Sequence, residues 1–163
     1  MGPKKGNRVV SKVLENWFPG LCGTPYEVTS PADVGYNCIA WATQDTSRWW
    51  EPDPLHLRYW PREVRREYTL QAYADAFRLQ GFEDCADAGL EEGWEKVALF
   101  ATPDGTPTHA ARQLPDGTWT SKLGTLEDIK HLELTHVAGQ HYGQPVIILR
   151  RRRKAASSGS DST

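Results

Sequence analysis

Cysteine is scarce in this 163-residue chain: Cys22, Cys38 and Cys85 are an odd number and form no CxxC pair. That excludes a disulfide framework and a four-ligand zinc knuckle, so each thiol is read singly. No apolar run approaches the ~18 residues that span a bilayer. The opening MGPKKGNRVVSKVLENWF has neither the apolar stretch nor the small-residue cleavage site of a secretory signal. The expectation is a cytoplasmic protein with no membrane contact, or an effector exported without a signal peptide. An internal repeat is also missing. Positive charge is sparse outside one place, because Arg150, Arg151, Arg152, Arg153 and Lys154 hold five of the 19 basic residues. Only Asp161 is acidic after them, so residues 1–149 carry 14 basic against 20 acidic side chains. Such a body lacks the broad positive face that duplex DNA requires, which argues against a nucleic-acid partner. The basic run itself reads as a solvated exit from the last strand.

What is present suits a packed domain. Hydrophobic residues make up 39% and aromatic residues 10%, including seven Trp. Length and composition predict one α+β domain over residues 1–154 with a disordered tail, AASSGSDST, over 155–163. Val9, Val10, Val13, Leu14 and Trp17 recur at helical spacing until Pro19-Gly20 stops them, and Pro19 to Tyr36 reads as an ordered loop. Asn37 is a natural cap for a buried helix running through CIAWATQDTSRWW, in which Ala40 and Ala42 permit close approach of a neighbour. Leu70, Tyr73, Ala74 and Phe77 mark another helix that ends at Gly81. The acidic stretch Glu83–Glu95 reads as a solvated connection. From Lys96 the pattern changes: VALFA, THAARQL and TWTSKL are strands of an antiparallel meander separated by PDGTP and PDG. Thr125 and Asp128 resemble a capping box opening a short helix, LEDIKHLEL, and PVIILR is a final apolar strand.

Nucleophilic thiol chemistry needs a thiolate, a base within reach and donors for an oxyanion. A helix N-terminus lowers a thiol pKa and presents free N–H groups, and Cys38 falls at a predicted one. Asn37 adds a side-chain donor. His109, at the start of THAARQL, is the candidate base. In LPDGT the order Pro-Asp-Gly suits a three-residue loop with a left-handed glycine, which pairs Leu114 with Thr118. Counting back sets Ala111 opposite Ser121 and puts His109, Ala111 and Ser121 on one sheet face, so Ser121 is the candidate orienter of the imidazole. A two-residue Asp-Gly turn would slip the register and bring Thr120 and Lys122 to that face instead. Asp128 and His131, just beyond, join the site if the following loop folds back.

The order of these pieces, YNCIAWA, then KVALFA, THAARQL and GTWTSK over residues 36–123, resembles the minimal core of papain-like cysteine peptidases, especially the bacterial cell-wall endopeptidase branch. The motifs NCIAWA, THAARQ, WTSKLG and DIKH are also similar to those of a family of small uncharacterised bacterial proteins. The resemblance implies N-terminal helices packed on a small antiparallel sheet, no cofactor, and a Cys38–His109 pair with Ser121 as third residue. It implies cleavage or transfer at an amide or acyl bond of a peptide or protein. The glutamine that often precedes the nucleophile has no counterpart near Ala32, which leaves Asn37 and backbone N–H groups for the oxyanion. The competing expectation is a non-catalytic peptide- or protein-binding module in which Cys38 is buried. In that reading Trp41, Trp49, Trp50, Tyr59 and Trp60 wall a cleft, although core packing is the commoner use of such residues. His131, His136 and His141, spaced by five, do not share a helix face and form no metal site.

Overall fold

Alternation of small and large apolar residues along VALFA and its neighbours makes a sheet that can be covered on both faces, and that sheet organises the molecule. The computed structural model describes residues 7–154, so the expected disordered tail lies outside the described residues. Three α-helices, α1 (Asn7–Trp17), α2 (Cys38–Ala42) and α3 (Leu70–Leu79), accompany seven strands. The strands are β1 (Tyr26–Ser30), β2 (Glu83–Cys85), β3 (Trp94–Ala101), β4 (Pro107–Gln113), β5 (Trp119–Lys122), β6 (Asp128–His131) and β7 (Gln144–Arg152). They form one antiparallel sheet in the order β1-β6-β5-β4-β3-β7-β2. The α+β expectation holds. The helical layer on a small sheet does not, because the sheet is the larger part and its helices are divided between its faces.

Val97 and Leu99 of β3, Ala110 of β4 and Leu149 of β7 pack with α2 and α3 in one core cluster. Ala98 and Phe100, Ala111, Trp119 and Ile129 pack with Leu14 and Phe18 at the α1 end in another. This is the two-residue period of a sheet buried on both sides. Ala40 and Ala42 are wholly buried, and α2 rests on β4 and β5. Phe77 and Phe100 are wholly buried as well, each contributing ~1.5–3 kcal/mol by leaving water.

Five sequence expectations are corrected. The helix begun at Cys38 stops at Ala42, closed by Gln44 N–H to the Trp41 carbonyl and Asp45 N–H to the Ala40 carbonyl. That is a Schellman closure whose left-handed position is Gln44, at φ 69°, instead of the glycine that would announce it. LEDIKHLEL is not a helix: β6 runs through Asp128–His131, where cross-strand pairing with β1 and β5 outweighs local propensity. The loop read over Pro19–Tyr36 contains β1, and the acidic connection contains β2. The arginines are no solvated exit either. Arg150, Arg151 and Arg152 belong to β7, with Arg150 paired to Glu83 and Glu91. The meander, α1 and α3 fall where the pattern put them, and Thr69 caps α3 by accepting the Ala72 N–H. Among the described residues no helix is long and apolar enough to cross a membrane.

Candidate functional site

The β4–β5 hairpin decides what faces what. Leu114 N–H donates to the Thr118 carbonyl at 2.7 Å, Gly117 adopts φ 89°, and Gln113 and Arg112 pair with Trp119 and Thr120. The three-residue loop is therefore the one formed, and Ser121 lies diagonal to His109. Their side chains meet: His109 Nε2 and Ser121 Oγ are 2.9 Å apart, both residues buried. The slipped alternatives go elsewhere. Thr120 Oγ1 accepts from Trp41 Nε1 at 3.0 Å on the α2 face. Lys122 Nζ, wholly buried, donates to the carbonyls of Asp33, Gly124 and Leu126 and stands over the Tyr36 ring. Asp128 accepts from Tyr36 Oη at 2.9 Å. Each of these three fixes the frame.

Ser121 has a second partner that the misread helix had hidden. His131 lies two residues beyond Ile129, the strand partner of Ser121, and Ser121 Oγ is 2.8 Å from His131 Nε2. His131 Nδ1 is 2.9 Å from the Glu133 carbonyl oxygen, which only accepts. Burial pushes the His131 pKa down to about 4, so the ring is neutral with its one proton on Nδ1. Its Nε2 then accepts the Ser121 hydroxyl proton, Ser121 Oγ accepts Nε2–H of His109, and His109 Nδ1 is left as a bare lone pair. Burial, with His131 and His141 adding to it, also holds His109 well below the usual histidine range. Its ring is stacked on Tyr142, with centroids 4.1 Å apart and planes 6° from parallel, and meets Phe100 edge-on. Nδ1 is buried without a hydrogen-bond partner.

Cys38 heads α2 and is half-buried. Burial is the largest influence on its thiol and pushes it up to about 11, while the backbone N–H groups of Ala110, Ile39 and Cys38 itself pull the other way. The activation expected from a helix terminus is thus overridden: five residues make little more than one turn, and the sulfur has left water. Ala110 follows His109 directly, so the sulfur reaches the strand that carries the imidazole. Ala110 packs with α2, however, while His109 shares the other face with Ala111 and Ser121, and no hydrogen bond joins Cys38 to His109. Asn37 differs from its expected role as well. Its Oδ1 accepts from Ala40 N–H at 3.2 Å and Trp50 N–H at 3.1 Å, and its Nδ2 donates to the Trp50 carbonyl at 2.7 Å. The amide staples the start of α2 to Trp50, and the donors open to an oxyanion are backbone N–H groups.

Cys38 opens into a cavity of about 520 Å³. Trp49, Tyr68 and Tyr73 wall it on the α2 side and Trp17, Phe18 and Tyr142 on the other. Glu51 at its rim accepts from Trp49 Nε1 at 3.0 Å and Tyr68 Oη at 2.5 Å. Thr108 Oγ1 donates to the Tyr142 carbonyl, which ties the segment bearing Tyr142 to β4. A family model described as a domain of unknown function, DUF7689, matches residues 27–150. The chain belongs to the DUF7689 family. The DUF7689 match takes in Cys38, His109, Ser121, His131 and Tyr142 and starts after α1, which supplies Trp17. No solved structure matches the chain. Of the aromatic set expected in the core, Trp50 and Trp60 are buried there, whereas Trp49 lines the cavity. Tyr142 was not anticipated from the sequence, and His131 was anticipated only as a neighbour beyond Ser121, on a segment expected to be helical. The signal that could have found His131 was the alternation Asp128, Ile129, Lys130, His131 read as a strand.

Proposed function

We propose that the chain performs thiol-dependent acyl chemistry, cleavage or transfer at an amide or related bond of a peptide or protein, in a papain-like arrangement. The observation that carries the reading is the relay from the Glu133 carbonyl through His131 and Ser121, which leaves His109 Nδ1 unprotonated. It does so one residue from the N–H that faces the Cys38 sulfur. A base in that tautomer is what a neutral thiol requires, and catalytic hydrogen bonds commonly tighten only once substrate is bound. Cys38 gives its proton to His109 Nδ1 as the sulfur attacks the acyl carbon, and backbone N–H groups at the start of α2 hold the oxyanion. The leaving amine takes the proton from His109 as the thioester forms. Water or a second amine then resolves the thioester, with the same nitrogen as base. Ser121 and His131 act through His109 and are positioning residues. No cofactor enters this chemistry.

The buried, neutral thiol and the aromatic walls favour a second reading, a peptide-binding module whose cleft has Cys38 in its floor. Acylation by p-nitrophenyl acetate separates the two. The catalytic reading expects a burst of nitrophenolate and one acetyl group on Cys38 by intact and peptide mass, lost in Cys38→Ala and strongly slowed in His109→Ala. Labelling of Cys22 alone, with Cys38 untouched until the chain is unfolded, would leave the binding module standing.

A further inference from the structure

The far end of the α2 face, where β3 begins and β4 and β7 end, holds a second pocket of about 380 Å³. Four cationic side chains line it, Arg112, Arg151, Arg153 and Lys154, against one carboxylate, Glu95. That carboxylate is spent: Oε1 accepts from Arg151 Nε at 2.7 Å and Oε2 from Gln44 Nε2 at 2.9 Å, and Glu95 is 2% exposed. Arg153 is anchored at the rim by its Nη2, which donates to the Trp94 carbonyl at 3.1 Å. Arg112 is different. Its guanidinium stands over the Trp41 ring at 5.5 Å, it makes no salt bridge among the described residues, and its Nε is buried without a hydrogen-bond partner.

Arginine does not shed its proton, so it cannot answer burial as the histidines at the other end do. Burial and the neighbouring Arg153 and Arg151 weigh against its charged form, and Glu95 opposes them only in part. An uncompensated guanidinium of this kind is a standing cost that an anion would remove. We propose that this pocket binds a phosphate-type oxyanion, with Arg112 and Arg153 as its principal donors and Arg151 behind them. Donors arriving from β4 and from the end of β7 approach from separate directions, which suits a tetrahedral group with three or four oxygens better than a planar carboxylate. The Trp41 ring, 5.5 Å from the Arg112 guanidinium carbon, supplies a cation–π partner beside the fork. Free inorganic phosphate and the phosphate group of a small monoester share this chemistry.

The test uses the full chain. The arginine Nε–Hε signals are followed by NMR while inorganic phosphate, and separately glycerol phosphate, replaces chloride at constant ionic strength. A saturable shift of the Arg112 signal, with a rise in thermal midpoint that chloride does not produce, is the expected result. Tighter binding of one probe identifies the source as the free ion or the monoester. Arg112→Gln and Arg153→Gln are each expected to weaken binding about ten-fold or more. Arg153 sits at the rim, so its variant tests the pocket without disturbing the core. No saturable shift with either probe overturns the proposal, as does affinity in both variants equal to that of the parent chain. Binding confined to nucleic-acid oligomers also overturns it.

Discussion

The Cys38–His109 region and the arginine pocket, at opposite ends of β4, handle buried polar groups in opposite ways. At the Cys38 end, burial drives titratable groups to their neutral forms: the thiol is pushed up to about 11, His131 down to about 4, and His109 well below its ordinary range. Neutral groups can be linked by an ordinary hydrogen-bond chain, and the direction of that chain, set by one backbone carbonyl, fixes each tautomer. At the other end the groups drawn from water are half-buried arginines, which stay charged. There the fold must supply counter-charge, and it supplies one carboxylate, Glu95, for four cations. Burial therefore leaves neutral imidazoles at one end and a guanidinium without a counter-charge at the other.

The largest effect that would break this contrast is chemical. His109→Ala is expected to lower Cys38-dependent ester turnover by roughly 10²–10⁴-fold, and Cys38→Ala to abolish it, measured by nitrophenolate release with the acetyl group located by mass. Ester turnover unaffected by His109→Ala would mean that the neutral imidazole is packing alone. Next comes Glu95→Ala, which leaves Arg151 buried without its partner and should cost about 3–5 kcal/mol in denaturant unfolding. A cost below 1 kcal/mol would show that the arginine end is wetter than its burial implies.

The pH dependence of stability probes the neutral end. Both histidines have folded-state pKa values below the unfolded value near 6.5, so the unfolded chain binds more protons and stability falls as pH drops from about 6.5 towards 4. His131 alone contributes on the order of 3 kcal/mol to that loss. His131→Gln keeps a donor and an acceptor but does not titrate, and should flatten the dependence in chemical denaturation at stepped pH. Ser121→Ala strands the Nε2 atoms of both rings, at a cost of about 1–3 kcal/mol. It also releases the His109 tautomer, visible as a changed pattern of imidazole ¹⁵N shifts. The smallest effect is expected at Arg112→Met. Removing an unpaired buried charge while keeping the stem over Trp41 should leave stability within about 1 kcal/mol of the parent or raise it.

Local chemistry was legible wherever a residue type has one strong use. Pro115-Asp116-Gly117 dictates the loop that sets His109 diagonal to Ser121, because glycine alone takes the left-handed position without strain. Asn37 and Thr69 announce their caps, and the periods along α1, α3 and the meander place those elements. The end of α2 was illegible, since Gln44 occupies the position where glycine would signal a stop. β6 was illegible because Thr125 and Asp128 imitate a helix start, and only pairing with β1 and β5 decides against it.

Local patterns, then, were enough for the α+β class, the hairpin register, a cysteine at a helix start and a histidine at a strand start, since each depends on neighbours a few residues apart. The protonation states were settled by the tertiary structure. Burial of Cys38, the turn of His131 towards the Glu133 carbonyl and the stranding of Arg112 over Trp41 join residues from separate strands and helices. The free energy of a charge or a proton depends on everything packed around it, whatever stands beside it in the chain.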